Sequence, residues 1–579
     1  MPERIHLAAP EPDTASFART RGAQKPRAIA WFGFTSFWGH LRHLLANAIT
    51  TDSVDSRQWM VPDPPAELLG KIAAILRPRG AGGGATLAAA MGGQVWLDFI
   101  ADTGDDAAVS EAVARLLATE YEVTDAEGAI VLPRGDVLIH GGDLAYPVAT
   151  VREVTRRLIV PFNRVLEPLC DWSKPRVLLA IPGNHDWYDG LDGFARLCGA
   201  PCTFEEPRNV EDALYPKPNE NPVLAWAEAF ASGTAVTKPG AMALAGYVPV
   251  QHASYFRLAL GRGMDLLGVD RQLSRIDPRQ RAYFAASTGP ARLIVVPDPA
   301  RAWGEALPNG KATLEALRVD PKKDPTLVIS GDIHHYERSR EGPSIHVIAG
   351  GGGAFLHGAR VARDGASYPR DVEFPGPRAS WAMCRRLPWH LAVGRAGWVI
   401  TSVFAVADGL ALTAYFREGL KASASIALVT SVIVAAATAL LVGRRHRIAR
   451  VMGLAIVFGL ATGALPVGVG IAADIAGVDE IGGTEVGRFV AILSALLVST
   501  LASGAAFGVM LATIARLSLN LSQPFAALGE PGFKHFVRMR VREPVDGPAT
   551  IDVFVIGAVD PLGGSAPVLV DRFHWKGGG

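Results

Sequence analysis

An α/β domain, then a four-helix transmembrane region and a small soluble C-terminal segment, is the fold class this sequence predicts. Three observations predict it. Between residues 95 and 354, seven apolar runs rich in β-branched residues alternate with helical patterns, and most end in Gly or Asp. Four apolar segments follow at about 396–416, 425–442, 451–473 and 489–513, each near the ~20 residues that cross a hydrocarbon core. Finally, carboxylate, amide and imidazole side chains stand directly after three of the strand-like runs. They lie in Gly142-Asp143-Leu144-Ala145-Tyr146-Pro147, Gly183-Asn184-His185-Asp186 and Gly331-Asp332-Ile333-His334-His335, a donor set suited to divalent metals.

Size and composition set the frame. A chain of 579 residues has room for several domains, and a formal charge of +1 offers no basic excess for nucleic acid. The positive mean hydropathy of +0.21 comes largely from the region after residue 395. Four cysteines (Cys170, Cys198, Cys202 and Cys384) are too few for a disulfide framework. The Cys198–Cys202 spacing lacks the second pair of a metal knuckle, so these read as buried or free thiols.

Residues 1–27 lack the apolar core of a secretory signal and read as a disordered lead-in. The run 28–38 is apolar but too short to span a bilayer, so packing is expected. A mobile loop is expected at the Gly-rich stretch 77–85. The strand-like runs then cover 95–102, 136–143, 176–184, 264–270, 291–298, 326–332 and 344–352, with helices at 106–119 and 151–169. Functional loops are expected at one end of the resulting sheet. His252 has no ligand spacing and reads as structural, whereas Arg271 and Gln272 are candidates to line a cleft.

Charges in the connectors orient the spans. Four arginines fall within 443–450, and Arg385, Arg386 and Arg395 precede the first span. The third connector instead carries Asp474, Asp479, Glu480 and Glu485. Because Lys and Arg favour the cytoplasmic side, both termini and the α/β domain are expected there. Arg417 and Lys421 in the first connector fit less well and are outnumbered. Asp408, inside the first span, is expected to face the bundle. The tail at 517–579 returns to soluble character. Its alternation at 534–542 and 551–559 predicts two strands in a cytoplasmic segment packed on the α/β domain.

The motifs resemble those of the calcineurin-like metallophosphoesterases. Asp102-Thr103-Gly104 is similar to the Asp-x-Gly opening of the purple acid phosphatases, and Tyr146 stands in the matching Gly-Asp-x-x-Tyr spacing. GNHDWYDG at 183–190, GDIHHYER at 331–338 and GGGGAFLH at 350–357 look like those of membrane-linked members. The likeness spans roughly 95–360, with a weaker echo around 524–538. It implies an αββα sandwich over 28–385, joined to transmembrane helices over 396–513.

The resemblance also implies a cofactor and roles. Two divalent ions (Mn, Fe, Zn or Mg, with Mn favoured) would serve hydrolysis of a phosphomonoester or phosphodiester; membrane attachment, and not the resemblance, adds a lipid-linked or membrane-delivered substrate as an expectation. Asp102, Tyr146 and His334 would hold the first ion, Asp143 would bridge, and Asn184 would hold the second. His185 would act on the phosphate, with Asp186 orienting its ring. Two departures stand out. Asp332 occupies the place of a family histidine, and 293–299 lacks another. Asp298, His335, His357 or water are the candidates to fill that gap. A non-catalytic phospho-ligand sensor signalling through the bundle is the alternative, and a transporter with a regulatory domain is the weaker third.

Overall fold

Side-chain alternation along the strands sorts the soluble part into four layers. The computed structural model describes residues 4–9, 24–33, 38, 41, 60–125, 128–199, 242–270, 278–287, 289–362, 366–442, 448–477 and 485–577. Cys202, Arg271 and Gln272 lie outside them, as do the arginine-bearing positions 443–447.

Helix α1 (Pro65–Leu76) buries Leu68, Leu69, Ile72 and Leu76 at one end of the inter-sheet core. The Gly-rich stretch after it is tied by Arg79, whose Nε donates to Asp136 Oδ1 at 3.0 Å. Strand β1 (Gln94–Ile100) stands in mid-sheet, and β2 (Val137–His140), β3 (Arg176–Ala180) and β4 (Tyr247–Pro249) extend it in parallel. A second seven-stranded sheet holds β5 (Phe256–Gly261), β6 (Met264–Gly268), β7 (Ala291–Val296), β8 (Thr326–Ser330), β9 (Tyr336–Glu341), β10 (Ser344–Ala349) and β11 (Val372–Phe374). Its spatial order is β11-β9-β10-β8-β7-β6-β5, and β6, β7, β8 and β10 run parallel.

A period of two decides what each strand faces. Leu97, Phe99, Val137 and Ile139 of the first sheet meet Leu266, Leu293, Val295 and Ile329 of the second in one core. The alternate residues Trp96, Ile100 and Leu138 pack outward on α2 (Ala107–Ala118), α3 (Val160–Leu166) and their neighbours. The very short α4 (Asn184–Trp187) and then α5 (Asp192–Cys198) follow β3. On the far side, Ile294, Val296 and Val328 pack against Phe284 of α6 (Pro278–Ala285) and Leu314 of α7 (Pro308–Ala316).

After α8 (Pro377–Cys384) and α9 (Leu387–Ala392) come α10 (Trp398–Glu418), α11 (Leu420–Val442), α12 (Ile448–Ile475) and α13 (Glu485–Arg516). These last four are long and apolar enough to cross a membrane. Gly459 and Gly463 let α12 approach the backbone of α11 at Ser431 and Ala427, the small-residue packing of membrane helices. Asp408 is buried in the bundle, where Ser503 Oγ donates to its Oδ2 at 2.9 Å.

The tail departs from its expected position. After α14 (Gln523–Leu528), strand β12 (Lys534–Arg542) pairs antiparallel with β1, β13 (Thr550–Ala558) pairs with β12, and β14 (Val568–Lys576) with β13. The segment expected to pack on the domain instead supplies three strands of its first sheet. The four long helices are thus an insertion between parts of one sheet. Arg538 clasps Asp98 with Nε–Oδ1 at 2.7 Å and Nη2–Oδ2 at 3.0 Å, and it also donates to the carbonyls of Leu117, Thr119 and Leu132. Both charges are fully buried, so the pair is fixed by geometry and by satisfied donors.

Candidate functional site

Parallel strands that end at the same level bring their following loops together. Asp102 N donates to Gly142 O and Thr103 N to Asp143 O, each at 3.0 Å. Asp332, from the second sheet, donates its N–H to both carboxylate oxygens of Asp102, at 3.1 and 3.0 Å. Asp102, Asp143 and Asp332 have φ of 59°, 56° and 65°. Left-handed backbone is uncommon for residues with a Cβ, although Asp tolerates it, and such strain gathers at functional sites. Glycines press close around these carboxylates. A Cβ at Gly331 or Gly350 would run into Asp102, and one at Gly183 into Asp143.

The Tyr146 hydroxyl is the hub. It lies 3.0 Å from Asp102 Oδ1, 3.3 Å from Asp143 Oδ2 and 3.1 Å from His334 Nε2. His334 Nε2 is 3.6 Å from Asp102 Oδ1. The other ring nitrogen of His334 meets Phe355 O at 2.7 Å, which places its proton on Nδ1 and leaves Nε2 an acceptor. One phenolic proton therefore faces three acceptors. Burial and then the charges of Asp143 and Asp332 raise the Asp102 pKa well above the carboxylate range. Lys534 is the buried cation behind them, its Nζ donating to Ala354 O at 2.5 Å; burial lowers its pKa to about 7, against the pull of Asp105 and Asp102.

An acceptor-rich, crowded set of this kind calls for a cation. Ligands on bonds of 2.0–2.2 Å stand about 3 Å apart, the spacing these atoms show. Among the described residues no three His, Cys, Asp or Glu side chains alone form a metal-holding group. The Tyr146 hydroxyl joins Asp102, Asp143 and His334 at hydrogen-bond distance, and the Asn184 amide lines the same cavity. With them the residues fit a hard, oxygen-preferring divalent ion.

Around this hub lies a cavity of about 540 Å³ lined by Asp143, Asn184, His185, Asp332, His334 and His357, together with aromatic side chains. The Asn184 amide nitrogen donates to Tyr188 Oη at 3.2 Å, leaving its oxygen as the remaining acceptor. His185 Nδ1 donates to Pro147 O at 2.6 Å, leaving Nε2 as the working nitrogen. Asp186 was expected to orient that ring and does not. Its carboxylate accepts from the backbone N–H groups of Asp143, Leu144 and Gly183 at 2.8, 3.1 and 2.8 Å, so it braces two motif loops. Burial and the Asp143 charge push its pKa up to about 7.

The three gap-filling candidates part company. His357 lines the cavity, but its Nδ1 accepts from His334 N at 3.0 Å and its ring stacks on His334 at 4.2 Å, so it positions that side chain. His335 turns away from the cavity, with Nε2 3.5 Å from Glu337 and its ring against Trp303. Asp298 is buried beyond β7 and does not line the cavity either. His252 meets Asp63 at 2.9 Å, away from the site.

Several contributors escaped sequence reasoning. Trp31 and Phe32, in the apolar 28–38 run, line the cavity, and Trp31 packs edge-on to Tyr146 and His185. The backbone leading to them is anchored by Ile29 N on Asp105 Oδ1 and Ala28 N on Asp106 Oδ2, both at 2.9 Å. Ser522, Gln523 and Ala526 enter from beyond the last long helix. His140 ties two loops through Thr103 Oγ1 at 3.1 Å. No short pattern marks such residues; only the run 28–38 carried a packing signal.

No family model matches the chain, and no curated protein matches it. Among solved structures it is similar to "GAP50 the anchor in the inner membrane complex of Plasmodium", with 10% identity and a TM-score of 0.29, over 47% of this chain and 76% of that one. A likeness so slight assigns no fold.

Proposed function

We propose that the chain is a membrane-anchored, metal-dependent phosphoric ester hydrolase of the calcineurin-like metallophosphoesterase kind. The observation that carries this reading is the meeting of Asp102, Asp143 and His334 at the Tyr146 hydroxyl, beside a cavity that also receives His185. Asp102, Asp143, Tyr146 and His334 would hold one divalent ion, and Asp143, Asn184 and Asp332 a second. Such ions, Mn²⁺ before Fe, Zn or Mg for this donor set, activate water and offset charge on a phosphoryl group.

The protein's own residues then divide the work. Pro147 O fixes the His185 ring, so that a proton held at Nε2 can pass to the departing ester oxygen. His357 and Phe355 O hold His334 from two sides. Trp31 and Phe355, 5.1 Å apart, narrow water access to the hub. In this reading both termini and this domain are cytoplasmic, which the arginine-rich second connector favours.

Purified full-length protein with Mn²⁺ should cleave p-nitrophenyl phosphate or its bis-ester, and Asp143→Ala or His185→Ala should abolish cleavage. One observation favours a second reading, a phospho-ligand sensor: Asp332 stands where the family pattern has a histidine. Tight binding of a phosphate ester with no turnover under any of the four metals would select it.

A further inference from the structure

The rim of the cavity is built where the chain enters and leaves the membrane bundle. Phe32 lines the cavity while its carbonyl lies against Gly397, the residue before α10 begins at Trp398. Ser522, Gln523 and Ala526 line it too, and they follow α13, which ends at Arg516. Helix α14 packs against both α9 and α13. Helix α9 lies on α13 at Gly504 and Gly508, where the missing side chains admit the backbone of Leu387, Pro388 and Ala392.

This base has the marks of a headgroup layer. Trp389 and Trp398 are 66% and 62% exposed, and Arg385, Arg386, Arg395 and Arg516 are exposed around them. Amphipathic rings gather at the level of lipid headgroups, and arginines there attract anionic lipid. The cavity is thus walled on one side by metal-seeking donors and on another by the junction with the bilayer. Its volume of about 540 Å³ suits a small headgroup.

We infer that the substrate is a phosphate ester carried by a bilayer lipid, whose headgroup enters the cavity while its chains stay in the membrane. This rests on the phosphoesterase reading. Water adds its oxygen to phosphorus, the P–O bond to the lipid breaks, and a proton goes to the lipid oxygen. The products are a lipid alcohol and inorganic phosphate, or a phosphomonoester when the substrate is a diester.

The test uses the full chain in phosphatidylcholine vesicles with Mn²⁺ and two pairs of probes. Phosphatidate is compared with glycerol 3-phosphate, and phosphatidylglycerol with glycerophosphoglycerol, with p-nitrophenyl phosphate run alongside. At least one lipid should be cleaved about tenfold or more faster than its chain-free partner, because remote binding energy is available only to the lipid. Trp389→Ser should lower that lipid rate about threefold and leave p-nitrophenyl phosphate unchanged. Cleavage of the aryl ester with no lipid preference in either pair would overturn the inference and leave the phosphoesterase reading standing. No cleavage of any probe would overturn both.

Discussion

The two sheets contribute unequally to the cavity. The first supplies Asp102, Asp143, Tyr146, Asn184 and His185, each on a loop locked to its neighbour by backbone hydrogen bonds or by the Asp186 carboxylate. The second supplies His334, braced by His357 and Phe355, and Asp332. Asp298 and His335, its remaining candidates, are not among the residues lining the cavity. A hub of closely spaced donors therefore sits on the first sheet and borrows one imidazole, while the Asp332 carboxylate lines the cavity outside that hub. One sheet thus builds a close-packed hub of donors while the other lends a single imidazole and a more isolated carboxylate.

The largest effect should come from the centre. Asp143→Ala is expected to lower aryl phosphate turnover about 10⁴-fold, as removal of one member of a joint catalytic unit does; a loss under tenfold would break the comparison. Next is the backing of the first sheet. Arg538→Ala leaves Asp98 buried and unpaired, so unfolding in detergent should be easier by about 3–5 kcal/mol. Gly350→Ala, which crowds Asp102, should cost about 10²-fold in activity with the fold retained, since small misplacements at a reacting centre are expensive. Asp332→His should be milder, keeping turnover within about tenfold while moving metal preference toward Zn²⁺.

Acid sensitivity separates the sheets least. Burial lowers the pKa of His140 in the first sheet and of His346 in the second to about 3. Between about pH 3 and 6.5 the unfolded chain then binds more protons than the folded one, so stability falls as pH drops through that window. His140→Asn and His346→Gln should each flatten the slope of melting temperature against pH there. A slope unchanged by either would contradict neutral burial.

Much of this was legible in the sequence, for identifiable reasons. Each of the seven apolar runs between residues 95 and 354 holds a strand, and the four long apolar segments are helices, whereas β4, β5 and β9 carry no such run. The alternation of 534–542 marks β12, but not its partner β1, because pairing across such a separation depends on the fold. Strand β14, in VLVDRFHWK, carries no clear strand signal because polar residues interrupt its apolar pattern. His334 and His335 look equivalent as neighbours, and only the direction each side chain takes separates a cavity residue from a core one. Asp186 beside His185 suggested a side-chain partner, while backbone N–H groups held the stronger claim on its carboxylate.

In the proposed site, strand-end donors of both sheets would hold metal at a strong centre and a weak edge. Mn²⁺ retained per chain after gel filtration, with and without excess metal, tests it most directly. Wild-type protein should retain one Mn²⁺ tightly and take up a second only with metal in excess. Asp102→Ala should lose the tight ion, and Asp332→Ala only the weak one. A wild-type chain that binds no Mn²⁺, or an Asp102→Ala chain that keeps its tight ion, would contradict the account.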